Sequence, residues 1–115
     1  MREIKFRAWD KINGEMIPWG RLLNGYNLRN VFMGPEMSGL ILMQFTGLKD
    51  KNGVDIYEGD IVKAYPNNTM YIGEVYYEDG QWFGACDYLD YAVAYSSAEV
   101  IGNIYQNKDL LGTVK

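Results

Sequence analysis

Carboxylates are the side chains of this chain best suited to react. Asp50, Asp55, Glu58, Asp60, Glu78, Asp79, Asp87 and Asp90 fall in its middle. Two carboxyl groups facing each other can act as acid and base, as in glycoside hydrolysis. Each of these, however, stands in or beside turn-forming residues, where Asp is favoured because its side chain accepts backbone N–H bonds. Asp50, Asp55, Glu58 and Asp60 lack the alternating ligand pattern of a calcium loop closed by glutamate. "GLKDKNG" lacks the glycine spacing and the Lys-Ser/Thr end of a phosphate loop. Histidine is absent, which removes the usual base near neutral pH and the commonest metal ligand. The one cysteine, Cys86, cannot build a thiolate zinc site. Its acidic neighbour Asp87 disfavours a thiolate, so Cys86 reads as a small packing residue. No catalytic residue, metal or cofactor is expected.

Binding chemistry is better represented. Aromatic residues make up 15% of the chain, and ten of them are tyrosine. Tyr76, Trp82, Tyr88 and Tyr91 are candidates for a displayed interaction surface, since Tyr and Trp are enriched in interfaces. The competing reading makes the same rings the core of a small β fold. Net charge is −4 and the sequence pI is about 4.7. Nucleic-acid binding needs clustered Lys and Arg to displace counterions, and the one short basic group, Arg2, Lys5 and Arg7, reads as a solvated strand face. A lone thiol fits a reducing cytoplasm. Neither a signal-peptide pattern nor an apolar run of membrane-spanning length is visible, "LILM" at 40–43 being the longest purely apolar stretch.

The elements that must position these residues are mostly strands. At 115 residues the chain is one domain's length. "EIKFRAW" alternates, with Ile4, Phe6 and Ala8 on one face, and Asn13-Gly14 is a hairpin signal leading to a return strand at 16–19. Residues 20–39 carry glycines and no sustained period, which predicts a loop-rich excursion or arm with "NVFM" as a short strand. "LILMQFTGL", 40–48, is a strand apolar on both faces at its start. Asn52-Gly53 makes a turn, and Gly59 permits a bend whose backbone amides Asp60 can bond. Asp79-Gly80 predicts a two-residue hairpin that pairs Tyr76 with Phe83, Tyr77 with Trp82 and Glu78 with Gln81. Gly73 and Gly84 permit curvature. Residues 86–97 form a loop or short helical turn, a last strand covers 100–104, and Asn107 caps a short helix "KDLLG". Short strands with glycine turns and little helix indicate a small closed roll.

"IKFRAWD", "QFTGLKDKNGVDIYEGDIV" and "EVIGNIYQN" stand in the order found in the YopX family, and the chain resembles that family over nearly its whole length. The motif matches at Phe45, Thr46, Gly47, Leu48, Asp50, Gly53, Ile56, Tyr57, Gly59, Asp60 and Val62. The resemblance implies a phage or prophage setting and an SH3-like small barrel with an N-terminal β extension, in a mainly β chain. It carries over no catalytic residue. A single domain over 1–115 is expected, with an N-terminal β portion at 1–48, a barrel-like portion at 49–111 and a short C-terminal helix. Gly47, Asp50, Gly53, Gly59 and Asp60 read as a structural signature.

The expected function is that of a non-enzymatic accessory protein in a bacterial cytoplasm. It would bind a protein partner or assemble as a homo-oligomer, with no membrane and no nucleic acid. The alternatives are a nucleic-acid module that stacks bases on aromatics and a hydrolase with two carboxylates.

Overall fold

The structure, a computed structural model, describes residues 3–112 together with the backbone but not the side chain of Asp87. Arg2, one of the three basic residues noted above, lies outside the described residues. The chain is mainly β and divides into two compact units, Met1–Phe45 and Thr46–Lys115.

The first unit is a small sheet with three short helices. Strand β1 (Phe6–Asp10) pairs antiparallel with β2 (Glu15–Ile17) and with the first half of β3 (Leu40–Lys49), so that Ala8 lies between Ile17 and Leu42. The β1–β2 connection is built around Asp10. Its Oδ1 accepts from the Ile12 and Asn13 amides at 2.9 and 3.0 Å, its Oδ2 accepts from Asn13 Nδ2 at 2.9 Å, and Gly14 at φ +66 returns the chain. Those bonds from Asn13 hold the Asp10 carboxyl below its usual range.

Pro18 ends β2 and opens helix α1 (Trp19–Gly25), followed by α2 (Leu28–Phe32) and α3 (Pro35–Ser38). The reading of 20–39 as a loop-rich arm, with "NVFM" a strand, is therefore corrected: residues 28–32 are helical. Asn27 Oδ1 accepts from Asn30 N at 3.3 Å and starts α2, while Pro35 starts α3 and Gly39 at φ +75 stops it. Leu22 and Val31 are the residues by which α1 and α2 enter a core with Ala8, Ile17 and Leu40.

The second unit begins with the far half of β3, to which β4 (Asp55–Tyr57) is hydrogen-bonded. Strand β5 (Asp60–Ala64) lies between β6 (Tyr71–Glu74) and β10 (Glu99–Asn103). A second sheet runs β7 (Tyr76–Glu78), β8 (Gln81–Gly84), β9 (Asp87–Tyr88) and leads into helix α4 (Leu89–Tyr95). The β7–β8 hairpin has the predicted register: Tyr76 opposite Phe83, Tyr77 opposite Trp82, Glu78 opposite Gln81. Asp79 at φ +50 and Gly80 at φ +83 supply the turn, whose two left-handed residues match the twist of the strands they join.

Ile56, Val62, Val75 and Leu89 form the core of this unit, with Trp82, Val93 and Val100 packed on it, and Ala64, Ala92 and Ala98 make a smaller cluster. Gly73 and Gly84 serve close packing. A Cβ on Gly84 would lie 2.9 Å from Leu89 Cδ1, and one on Gly73 would lie 3.0 Å from the Ala85 backbone.

Residues 108–112 form a 3-10 helix. Just before it, Asn107 Oδ1 accepts from Asn103 N at 3.1 Å. The bare Cα of Gly102 leaves room for that return, since a Cβ there would sit 2.6 Å from the same oxygen.

Candidate functional site

Two features of the second unit compete for a functional role. One is the segment at 45–62, the other is the tyrosine-rich surface of β7–β9 and α4.

In the first, the acids spread outward onto backbone. Asp50 is 6% exposed. Its Oδ1 accepts from Asn52 N at 2.8 Å and Val54 N at 2.9 Å, and its Oδ2 accepts from Val100 N at 2.9 Å. Burial pushes the Asp50 carboxyl up, but the three amides, with Lys51 nearby, outweigh it and hold it below the usual range. Asp60, 1% exposed, accepts from Tyr57 N through Oδ2 at 2.8 Å. Asp55 pairs with Lys49. Thr46 Oγ1 donates to the Ile56 carbonyl at 2.7 Å and accepts from Leu48 N at 3.2 Å.

Gly47, Gly53 and Gly59 sit at φ +88, +81 and +86, a region that side chains with a Cβ rarely enter. Gly59 also bonds at both ends, its amide to the Val75 carbonyl and its carbonyl to the Ile104 amide, each at 2.9 Å. The segment is a knot of turns that gathers β3, β4, β5 and β10. Among the described residues, no group of three or more potential metal ligands forms.

The second feature is the aromatic face. Tyr76, Phe83 and Tyr88 stand opposite one another across β7, β8 and β9 and share one side of that sheet. Tyr76 stacks on Phe83 at 5.3 Å between ring centroids, and Phe83 meets Tyr88 at 5.1 Å. Tyr77 and Trp82 occupy the other side at 5.0 Å, and Trp82 is half-buried on the core. The four candidate aromatics therefore divide: Tyr76 and Tyr88 come together, Tyr91 lies on α4 against Tyr95, and Trp82 turns away. Tyr76, Tyr88 and Tyr91 are exposed, and Tyr95, which the sequence reading did not single out, is 75% exposed.

Three clefts share Cys86 in their lining. One of about 430 Å³ is floored by Gly73 and Gly84 and walled by Tyr76 and Phe83. A second of about 290 Å³ is lined by Tyr71 and Asn67, and a third of about 230 Å³ by Tyr91 and Tyr95. Cys86 is partly buried and packs on the alanine cluster.

Knot and face together define a small, mainly β protein with fixed turns and displayed tyrosines. The family model described as "YopX protein" matches residues 5–112. The chain belongs to the YopX family. It is similar to protein EF1440 from Enterococcus faecalis, known from a crystal structure, at 27% identity and a TM-score of 0.64, over 96% of this chain and 99% of that one. No curated protein matches the chain. Among the described residues, no helix is long and apolar enough to cross a membrane.

Proposed function

We propose that the chain is a non-catalytic interaction module whose second unit, read as an SH3-like roll, docks a protein partner through the face of Tyr76, Tyr88 and Tyr91. The setting is a phage or prophage accessory protein in the cytoplasm of a bacterial host. The observation that carries the reading is the exposure of these tyrosines, with Tyr76 and Tyr91 each lining a cleft. Tyrosine is of intermediate burial in folded proteins, so it is their grouping on one surface that counts, since contiguous exposed apolar surface rimmed by polar groups marks interaction sites. The fate of Asp50 and Asp60 supports the absence of catalysis: carboxylates bonded to backbone amides have little capacity left for proton transfer.

Light scattering combined with cross-linked affinity purification from host cells tests it. The expected result is a partner, or a second copy, lost when Tyr76, Tyr88 and Tyr91 are replaced by serine. A strict monomer whose triple variant retrieves the same proteins as the wild type overturns the reading. Glycoside turnover abolished by Asp50→Asn or Asp60→Asn would revive the hydrolase alternative. Filter binding of single-stranded nucleic acid that collapses with added salt would revive the nucleic-acid one.

A further inference from the structure

Between Lys63 and Lys108 the chain carries no Lys or Arg, yet this stretch holds six acids and eight of the ten tyrosines. Acids displayed without cations beside them favour positively charged partners and repel anionic ones. The acids are unevenly matched. Glu99 has Lys51 and Lys63 each at 3.7 Å, whereas Glu78, Asp79 and Asp90 stand exposed near the tyrosines. Glu74 lines the cleft of about 430 Å³ beside Tyr76 and Phe83.

Geometry narrows the occupant further. The three open clefts have Cys86 in common, and rings line each: Tyr76 the first, Tyr71 the second, Tyr91 and Tyr95 the third. Taken together as one track, neighbouring open clefts suit an extended chain better than a compact ligand. Aromatic faces with carboxylates beside them suit cations, because the ring quadrupole attracts a guanidinium or ammonium and the acids add long-range attraction.

We propose that the track is the docking site of an extended, arginine- or lysine-bearing segment of a partner protein, its cations stacking on Tyr76, Tyr91 and Tyr95. The proposal rests on the interaction-module reading and gives it a partner chemistry.

The test uses the full chain and a fluorescein-labelled peptide of alternating glycine and arginine, with a glycine–glutamate peptide as control. Anisotropy is read at about 0.1 M and about 1 M salt, where the Debye length is ~10 and ~3 Å. Binding of the arginine peptide is expected at the lower salt, weakened at least ~10-fold at the higher, with none for the control. The variant Tyr76→Ala/Tyr91→Ala/Tyr95→Ala is expected to lose ~10-fold or more at the lower salt while keeping the wild-type melting temperature. Glu78→Gln/Asp79→Asn/Asp90→Asn is expected to flatten the salt dependence.

No binding of the arginine peptide overturns the proposal, as does equal binding of both peptides. An unchanged affinity in the tyrosine variant also overturns it, because charge alone would then explain the attraction. Self-association through Tyr91 and Tyr95, or a partner whose contact segment lacks basic residues, removes this inference and leaves the interaction-module reading in place.

Discussion

The two units solve the same folding problem with different materials. Met1–Phe45 carries six basic and four acidic residues, Thr46–Lys115 five and eleven. The first covers its sheet with helices, and its core residues Leu22 and Val31 each come from a short helix. The second is held by backbone bonds to two buried aspartates and by glycine contacts, and it spends its tyrosines on the surface. Both units bury an aliphatic core and set an aspartate against backbone amides. The second adds an amide bond to a carboxylate fifty residues away and close backbone approach at its glycines, and leaves most of its tyrosines exposed.

The most damaging test of that contrast is Asp50→Ala. Three partly buried amides lose their acceptor, and each unsatisfied donor costs about 1–3 kcal/mol, so a total loss of about 4 kcal/mol is expected in denaturant titration. Asp50→Asn keeps one acceptor oxygen and should lose roughly half as much. A loss below about 1 kcal/mol for the alanine variant would show that the knot is ornamental.

Leu22→Ala probes the other unit. Leu22 is fully buried, and truncation should cost about 3 kcal/mol through lost transfer energy and a cavity. Hydrogen exchange should show the loss concentrated in amides of residues 6–45. A loss spread evenly over the chain would mean that the units do not differ in what holds them.

Gly84→Ala tests close packing in the second unit. The added methyl meets Leu89 Cδ1 at 2.9 Å and Val62 Cγ2 at 3.2 Å, and overpacking of this kind costs about 2 kcal/mol, to be read as a lowered melting temperature.

Acid sharpens the comparison differently. The folded carboxyl of Asp50 titrates below the ordinary aspartate value of 3.8. Its stabilising contribution is therefore complete above that pH and fades as pH falls through the lower, folded value. Asp50→Asn should flatten the decline of stability below about pH 4 relative to wild type. An identical slope would contradict the role given to its three amides.

The smallest effect is expected at Tyr95→Ser. Its side chain is largely in solvent, and surface changes of this kind stay within about 0.5 kcal/mol. A larger loss would place Tyr95 in the structural column and remove it from the docking track.

Legibility followed the same division. The Asp79-Gly80 hairpin could be read with its register because two left-handed residues in sequence define a short turn almost uniquely. The knot was legible as turns, since Gly47, Gly53 and Gly59 needed positive φ and Asp50 and Asp60 were suited to accept amides. That Asp50 reaches Val100 was not legible, because no local pattern encodes a partner fifty residues away.

Residues 20–39 were misread because helices of four to seven residues that bury one side chain or none leave too few apolar positions to show a period. The Asn27 and Pro35 start signals were present but masked by Gly20, Gly25, Gly34 and Gly39. The aromatic surface was half legible. Composition pointed to tyrosine, but strand alternation was needed to send Trp82 to the opposite side from Tyr76. The missed signal was the lack of any Lys or Arg from 64 to 107, on which the proposal of a basic partner rests.

The bond from Val100 to Asp50 also sets an order of events. A carboxylate desolvated before its distant amide arrives is worse off than one left in water, so the turn at 50–54 gains its full strength only after the intervening residues have been drawn together. Closing so long a loop costs entropy before any contact repays it. The unit should therefore fold at the tempo of its slowest encounter, and the short helices near the N-terminus, whose contacts are local, should be in place first.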